Sequence, residues 1–415
     1  MKKKLVILGG GVSGKAAERL GTLLGYECQI INDSDTEMLP ESDLIVASPG
    51  MHPLKSNLYR QAVREGRAMI GELAFGSKYI GKKFCQLAIT GTNGKTTTVE
   101  LTTHLLNYLG VKSIACGNIG HPVSDVAADI LTGTIADLET IVLEVSSFQL
   151  ELAENFVPDA AVLLNLKSDH EERYVNGFEE YCQVKKNIFR LVPEAKRFYG
   201  VNSFSEKSSV YYKNNSLMYE DKVLLDDVSR TSFAASHNRE NLAAAAALVL
   251  TVIPFEQLDL EKFADGVNAF KFGRHRIEYV AERNGVKYYN DSKATNPSAV
   301  TSAVNALKGE GKIVLMLGGS DKGMDFSELN DLVPYLRGIV LYGAAGETIG
   351  KVFTDSISKV SVGMDFVSAI KAAKSMAEQG DIVLLSPACA SFDMFKSYAD
   401  RGDQFCRIVN EELGN

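Results

Sequence analysis

Almost from end to end, short β-branched runs alternate with longer segments whose apolar residues recur at helical spacing. Runs at 4–9, 27–33, 44–48, 87–90, 141–145, 161–166, 313–317, 339–342 and 382–386 read as strands, several of them apolar on both faces. Segments such as 96–109, 238–252 and 365–377 read as helices. A strand apolar on both faces must be covered on both, and a helix after each strand supplies that cover, so the pattern predicts α/β architecture with parallel sheets. At 415 residues the chain is too long for one ordinary core, and a typical domain of about 150 residues leads us to expect three domains. Three strands run straight into glycine turns, at Gly9-Gly10-Gly11, Gly91-Thr92-Asn93-Gly94 and Gly318-Gly319, and each is expected to anchor its own sheet. Breaks near Gly81-Lys82-Lys83 and Phe272-Gly273-Arg274 give expected domains 1–82, 83–273 and 274–415. The last opens on a hairpin over 276–291 that turns at Asn284-Gly285.

Composition removes several classes of function. Hydrophobic residues make up 45% of the chain and charged residues 23%, which argues against disorder. The 52 acidic residues exceed 44 basic ones for a net charge of −8, and the basic residues form no stripe, which argues against a nucleic-acid partner. The best apolar stretch, 242–253, is shorter than the ~18 residues that a membrane span requires. Lys2-Lys3-Lys4 is followed by too few apolar residues for an export signal. We expect a soluble, cytoplasmic chain. Cys28, Cys85, Cys116, Cys182, Cys389 and Cys406 lie far apart with no metal-binding spacing, and are expected to be reduced thiols.

The segment from Thr90 to Thr98 carries the most chemistry. It follows a strand and opens a helix, the setting of a phosphate cradle. Glycines Gly91 and Gly94 let the amides around Thr92 and Asn93 face an anion, and the helix N-terminus adds positive potential. Lys95 can reach terminal phosphates, with Thr96 and Thr97 supplying hydroxyls, Thr96 toward Mg²⁺. The strict P-loop pattern is not met, because Ile89 stands where its first glycine would fall. A magnesium held by one threonine needs further hard oxygens. Glu144, at the end of a predicted strand in Leu143-Glu144-Val145-Ser146-Ser147-Phe148-Gln149, is the candidate ligand, and Asn165 to His170 ends another strand in a polar loop.

These strings resemble the Mur ligase and folylpolyglutamate synthetase superfamily. The resemblance covers nearly the whole chain, and Asn290-Asp291-Ser292-Lys293-Ala294-Thr295-Asn296-Pro297 looks like the D-glutamate-adding branch. It implies a Rossmann-like N-terminal domain, a central P-loop ATPase domain and a Rossmann-like C-terminal domain. By resemblance His170 ligates a second magnesium. Lys185, fifteen residues on (185 − 170), would be a lysine carbamylated by CO₂, although Lys186 sits beside it. Two Mg²⁺ ions are implied, with Mn²⁺ as a substitute. Asn241 would lie by the adenine, Arg276 by the ATP phosphates, Asp291 on the ribose and Lys293 near phosphate. Thr295, Lys322, Ser391 and Tyr398 would take D-glutamate. Lys95, His170, Lys185 and Arg276 form the implied catalytic set.

Gly9, Gly11 and Gly14, with Asp33 about 20 residues beyond, also meet the dinucleotide fingerprint. Taken alone this motif predicts NAD. The resemblance instead implies that the first domain holds UDP, with Ser13 near the diphosphate, Asp33 and Ser34 near uridine, and Ser48-Pro49-Gly50 closing over it. Asn118 would reach the muramic acid region. The implied activity is a monomeric, ATP-dependent ligase that adds D-glutamate to UDP-N-acetylmuramoyl-L-alanine through an acyl phosphate. A sibling ligase acting on another amino acid or a folate, a nicotinamide oxidoreductase and a nucleotide-switch protein are the rival expectations.

Overall fold

The structure, a computed structural model, describes residues 2–201, 203–205, 208–320, 323–353 and 357–411, apart from the side chain of His237. The chain divides into two compact units, Met1–Phe270 and Lys271–Asn415.

The first unit contains two parallel sheets. One runs Glu27–Ile31, Lys4–Leu8, Leu44–Ala47, Met69–Gly71 from edge to edge; the other runs Ser113–Gly117, Thr140–Glu144, Cys85–Thr90, Ala160–Leu163, Arg197–Tyr199. Leu5, Val6, Ile7 and Leu8 are all buried, as are Leu87, Ala88 and Ile89, so the doubly apolar runs are covered on both faces. Helices Val12–Leu23, Glu72–Ile80 and Val123–Leu131 lie between the sheets, and Leu5, Ile7, Leu20 and Phe75 share one continuous core with Ala88, Ile141 and Leu143. Each large side chain in that layer contributes about 1.5–3 kcal/mol by leaving water. Gly76 permits the close approach: a Cβ there would meet the backbone of Val123 and Ser124 within 2.6 Å.

A small antiparallel sheet, Val210–Lys213, Ser216–Tyr219 and Lys222–Leu225, was not expected. Its strands are four residues long and its turns, at Asn214-Asn215 and Glu220-Asp221, contain no glycine. Asn214 and Glu220 take the positive φ themselves, at 57° and 49°.

The second unit is built on a six-stranded sheet in the order Glu278–Arg283, Val286–Asn290, Ile382–Ala388, Ile313–Gly318, Leu336–Tyr342, Ser358–Ser361. Only its first strand is antiparallel. That strand belongs to the expected hairpin, where Asn284 and Gly285 have φ of 53° and 74°, as a tight mirror-image turn requires. Among the described residues no helix is long and apolar enough to cross a membrane, and none of the six cysteines is paired.

Candidate active site

The loop over 91–94, Glu144 and the segment 165–170 lie at the C-terminal ends of three neighbouring strands of the five-stranded sheet, Cys85–Thr90, Thr140–Glu144 and Ala160–Leu163. Gly91 has φ 155°, and a Cβ there would stand 2.9 Å from Leu164; Gly94 has φ 86°, and a Cβ would collide with Asn241. Gly94 is also the N-cap of helix Lys95–Tyr108 and supplies no capping side chain. The loop is clamped to the next strand: Thr92 N–H donates to the Asn165 carbonyl at 2.9 Å, and Asn93 N–H to Asn165 Oδ1 at 2.9 Å. Lys95 Nζ donates to the carbonyls of Gly91 and Thr92 at 2.9 and 2.8 Å, folded back over the loop. Thr96 and Thr97 are buried in the first helical turn. Asn241 lies beneath the loop, its Oδ1 accepting from Thr98 Oγ1 at 3.2 Å.

Glu144 ends its strand and is buried. Its Oε1 accepts from Asn118 Nδ2 at 2.9 Å, while Oε2 has no hydrogen-bond partner. A buried carboxylate oxygen without a donor is costly unless a cation completes it, so the site fits a bound metal. Among the described residues no three His, Cys, Asp or Glu side chains converge. Thr96 and Glu144 would therefore share the ion with phosphate oxygens and water, as magnesium commonly requires.

Helix Gly177–Lys186 turns Tyr181 and Lys185 inward, four residues apart on one face, and leaves Lys186 exposed. This distinguishes the two adjacent lysines. Lys185 is 2% exposed; its Nζ donates to the Gly91 carbonyl at 2.9 Å and stands 5.0 Å from the Tyr181 ring centroid. Burial, with Lys95 nearby, pushes its amine well below the ordinary lysine range. A neutral amine is the form that reacts with CO₂. His170, at φ 54°, sets its ring edge-on to Phe148 with centroids 5.0 Å apart.

In the first glycine loop, Gly9 has φ 96°, and a Cβ there would lie 3.0 Å from Ser48 and 3.2 Å from Met51, so loop 48–51, with Pro49 and Gly50, rests directly against it. Ser13 is the second residue of helix Val12–Leu23. Asp33 Oδ1 accepts from Ser56 Oγ at 3.1 Å and from Leu58 N–H at 3.0 Å, holding the start of helix Asn57–Arg64. Ser34 donates to Asp35 at 3.0 Å.

In the second unit the candidates again follow strand ends. Asp291 is buried, with Oδ1 accepting from Ile277 N–H at 3.2 Å and Oδ2 from Ser386 Oγ at 2.7 Å. Burial nonetheless raises its pKa to about 7. Arg276 lies near enough to oppose that rise. Lys293 Nζ stands 5.0 Å from the Tyr398 ring centroid, and Thr295 precedes Asn296, which caps helix Pro297–Leu307 through Ala299 N–H at 2.9 Å. Ser391 is buried with no partner for its hydroxyl. Lys322 lies outside the described residues.

Two arginines that the sequence reading passed over are central. Arg401 is fully buried, donating to Ser292 Oγ at 2.9 Å and to the carbonyls of Ser292 and Cys389 at 2.8 and 3.0 Å. It ties the Asp291 turn to the segment that carries Ser391. Arg173 is also buried and pairs with Glu151 through two hydrogen bonds of 2.6 and 2.8 Å. Arg401 stands in helix Tyr398–Glu411 and Arg173 in the short turn after His170, and neither belongs to a string that carries the resemblance.

Residues 89–216 match the model of the Mur ligase middle domain, and residues 275–389 that of the Mur ligase glutamate ligase domain. UDP-N-acetylmuramoylalanine–D-glutamate ligase of Cytophaga hutchinsonii is 33% identical over all of both chains. The enzyme of the same name from Desulfosudis oleivorans is 34% identical over 99% of this chain and 96% of its own. Among solved structures, a pseudomurein peptide ligase type C from Methanothermus fervidus superposes with TM-score 0.62 at 17% identity, covering 99% of this chain and all of that one. MurF ligase of Thermotoga maritima, in complex with ADP, superposes with TM-score 0.59 at 19% identity, over 92% of this chain and 97% of that one.

Proposed function

This chain belongs to the Mur ligase family, and from that premise we propose that it joins D-glutamate to UDP-N-acetylmuramoyl-L-alanine at the expense of ATP, in peptidoglycan precursor synthesis. The substrate carboxylate takes the γ-phosphoryl group of ATP to give an acyl phosphate and ADP. The D-glutamate amine then attacks the acyl carbon, phosphate leaves, and an amide remains. Phosphate is a far better leaving group than hydroxide, so most of the protein's task is positioning and charge stabilisation.

The observation that carries this reading is a glycine loop beside a buried carboxylate with one open oxygen and a buried lysine whose amine is pushed well below the ordinary range. Gly91, Thr92, Asn93, Gly94, Lys95, Thr96 and Thr97 hold the ATP phosphates, and Lys95 swings from its carbonyls to the γ-phosphate. Thr96 and Glu144 hold one Mg²⁺; His170 and a carbamate on Lys185 hold a second, and Mn²⁺ substitutes. These ions supply Lewis acidity that draws charge from the phosphoryl and acyl oxygens. In the second unit Arg276 and Lys293 offset phosphate charge, Asp291 holds the ribose, and Asn241 in the first borders the adenine. Ser13, Asp33, Ser34, Ser48, Pro49, Gly50 and Asn118 serve the UDP substrate. Thr295, Lys322, Ser391 and Tyr398 grip D-glutamate, the unpartnered Ser391 hydroxyl offering a donor for a carboxylate. In this reading 1–82, 83–273 and 274–415 are the UDP-substrate, ATP and amino-acid domains of a cytoplasmic monomer.

The test is phosphate release from MgATP with UDP-N-acetylmuramoyl-L-alanine in the presence of D-glutamate, L-glutamate, D-alanine, L-lysine or no amino acid. Release dependent on D-glutamate, with a product heavier by one glutamyl residue, is expected. Stimulation by another amino acid would move the assignment to a sibling ligase, and release indifferent to amino acids would end it.

A further inference from the structure

One buried side chain joins the two substrate regions of the first unit. Arg173 closes the single helical turn Glu171–Arg173 that begins at His170. Its Nη2 donates to the carbonyls of Met51 at 2.8 Å and Pro49 at 3.2 Å, in the loop lying against Gly9. Its Nε and Nη2 also fork onto Glu151, which follows helix Ser147–Leu150. The guanidinium stands 4.0 Å from the Phe148 ring centroid, and that same ring meets His170 edge-on. A chain of contacts therefore runs from the first glycine loop through Met51, Arg173 and Phe148 to His170.

Only an arginine can make all of these contacts at once. The planar fork fits a carboxylate through Nε and Nη2, leaves the second Nη2 hydrogen to be shared by the two carbonyls, and stacks its face on an aromatic ring. A lysine keeps the charge but cannot hold both the loop and the carboxylate.

We propose that Arg173 is a positioning residue that sets loop 48–51 for the UDP substrate and locks it to the His170 turn. This rests on the reading that the first glycine loop takes UDP. Arg173 touches the loop by its backbone carbonyls, so it acts on the loop's position and not on its side-chain chemistry. Losing it loosens the UDP substrate first and leaves the ATP loop, which Asn165 clamps independently, as it was.

Calorimetric titration of the full-length protein with UDP-N-acetylmuramoyl-L-alanine, and separately with a non-hydrolysable ATP analogue, tests this. In Arg173→Lys the dissociation constant for the UDP substrate is expected to rise about tenfold, with that for the ATP analogue within twofold. Arg173→Ala is expected to recover part of the lost UDP-substrate affinity when guanidinium chloride is added at millimolar concentration. Should Arg173→Lys fail to fold, Glu151→Gln, which weakens the fork and keeps the arginine, is expected to show the same selective loss at about threefold. Unchanged UDP-substrate affinity, or equal loss of both ligands, would overturn the proposal. Failure of the unmodified protein to bind the UDP substrate would instead remove the reading beneath it, and the proposal with it.

Discussion

The two units treat their buried carboxylates in opposite ways. Glu144 in the first has one oxygen on Asn118 and the other on nothing. Asp291 in the second has both oxygens taken, by Ile277 N–H and by Ser386. A buried oxygen without a donor carries an uncompensated desolvation cost, whereas a saturated carboxylate is a fixed point for a neighbouring group. The charged nitrogens show a parallel contrast. Lys185 is buried with its charge suppressed, while Arg401 is buried with its donors spent on Ser292 and on the carbonyls of Cys389 and Ala390. At these groups the first unit leaves an oxygen open, and the second spends Asp291 and Arg401 on holding turns in place.

If the comparison is right, the largest effect comes from Lys185. Replacing it with alanine is expected to lower amino-acid-dependent phosphate release at least ~10³-fold, with partial recovery on adding bicarbonate or a short carboxylic acid. The folded amine titrates below its ordinary range, so it stays neutral to lower pH than an exposed lysine. Activity should fall as acidification protonates it, and extra bicarbonate should shift that fall to lower pH. Retained turnover in the alanine variant, measured by coupled phosphate assay, would mean the lysine is structural. Glu144→Gln comes next, with a loss of about 10²–10³-fold and a raised magnesium requirement. A variant that lost activity without any change in its magnesium titration would show that the open oxygen is not a ligand position.

In the second unit the expected effect is on stability. Arg401→Met leaves the carbonyls of Ser292 and Cys389 without donors, and should lower its resistance to urea by about 3 kcal/mol. A smaller effect sharpens the comparison from the other side. Glu72 in the first unit is buried, with Oε1 on Ser124 N–H at 2.7 Å and Oε2 unpartnered, and burial raises its pKa to about 7. The folded state binds this proton more tightly than the unfolded chain. Its contribution is therefore present below the unfolded value near 4.5 and lost as pH rises through about 7. Glu72→Gln should lie close to the unmodified protein at pH 4.5 and exceed it by about 3 kcal/mol at pH 8, read from thermal or urea melts across that range.

How much of this was visible beforehand depends on whether a residue's role is local. The strands, the glycine loop over 91–94 and the Asn284-Gly285 hairpin follow from spacing and backbone chemistry within a few residues, and the folded chain shows them within a residue or two of the expected bounds at most places. The small sheet over 210–225 was missed because neither of its turns carries a glycine. Asp33 satisfies a sequence fingerprint, and the fold adds contacts that the fingerprint does not contain: it accepts from Ser56 Oγ and Leu58 N–H at the start of helix Asn57–Arg64, 23 to 25 positions away.

By itself the sequence determined the α/β class, the position of the glycine loop over 91–94 and the kinds of group around it, because sheet burial and loop geometry are written in residue type at short range. Tertiary structure decided which of two adjacent lysines is buried, which carboxylate keeps an open oxygen, and that Arg173 and Arg401 bind segments together. Each of these depends on what solvent and which partners surround a side chain, and those are set by elements that the chain brings together only on folding.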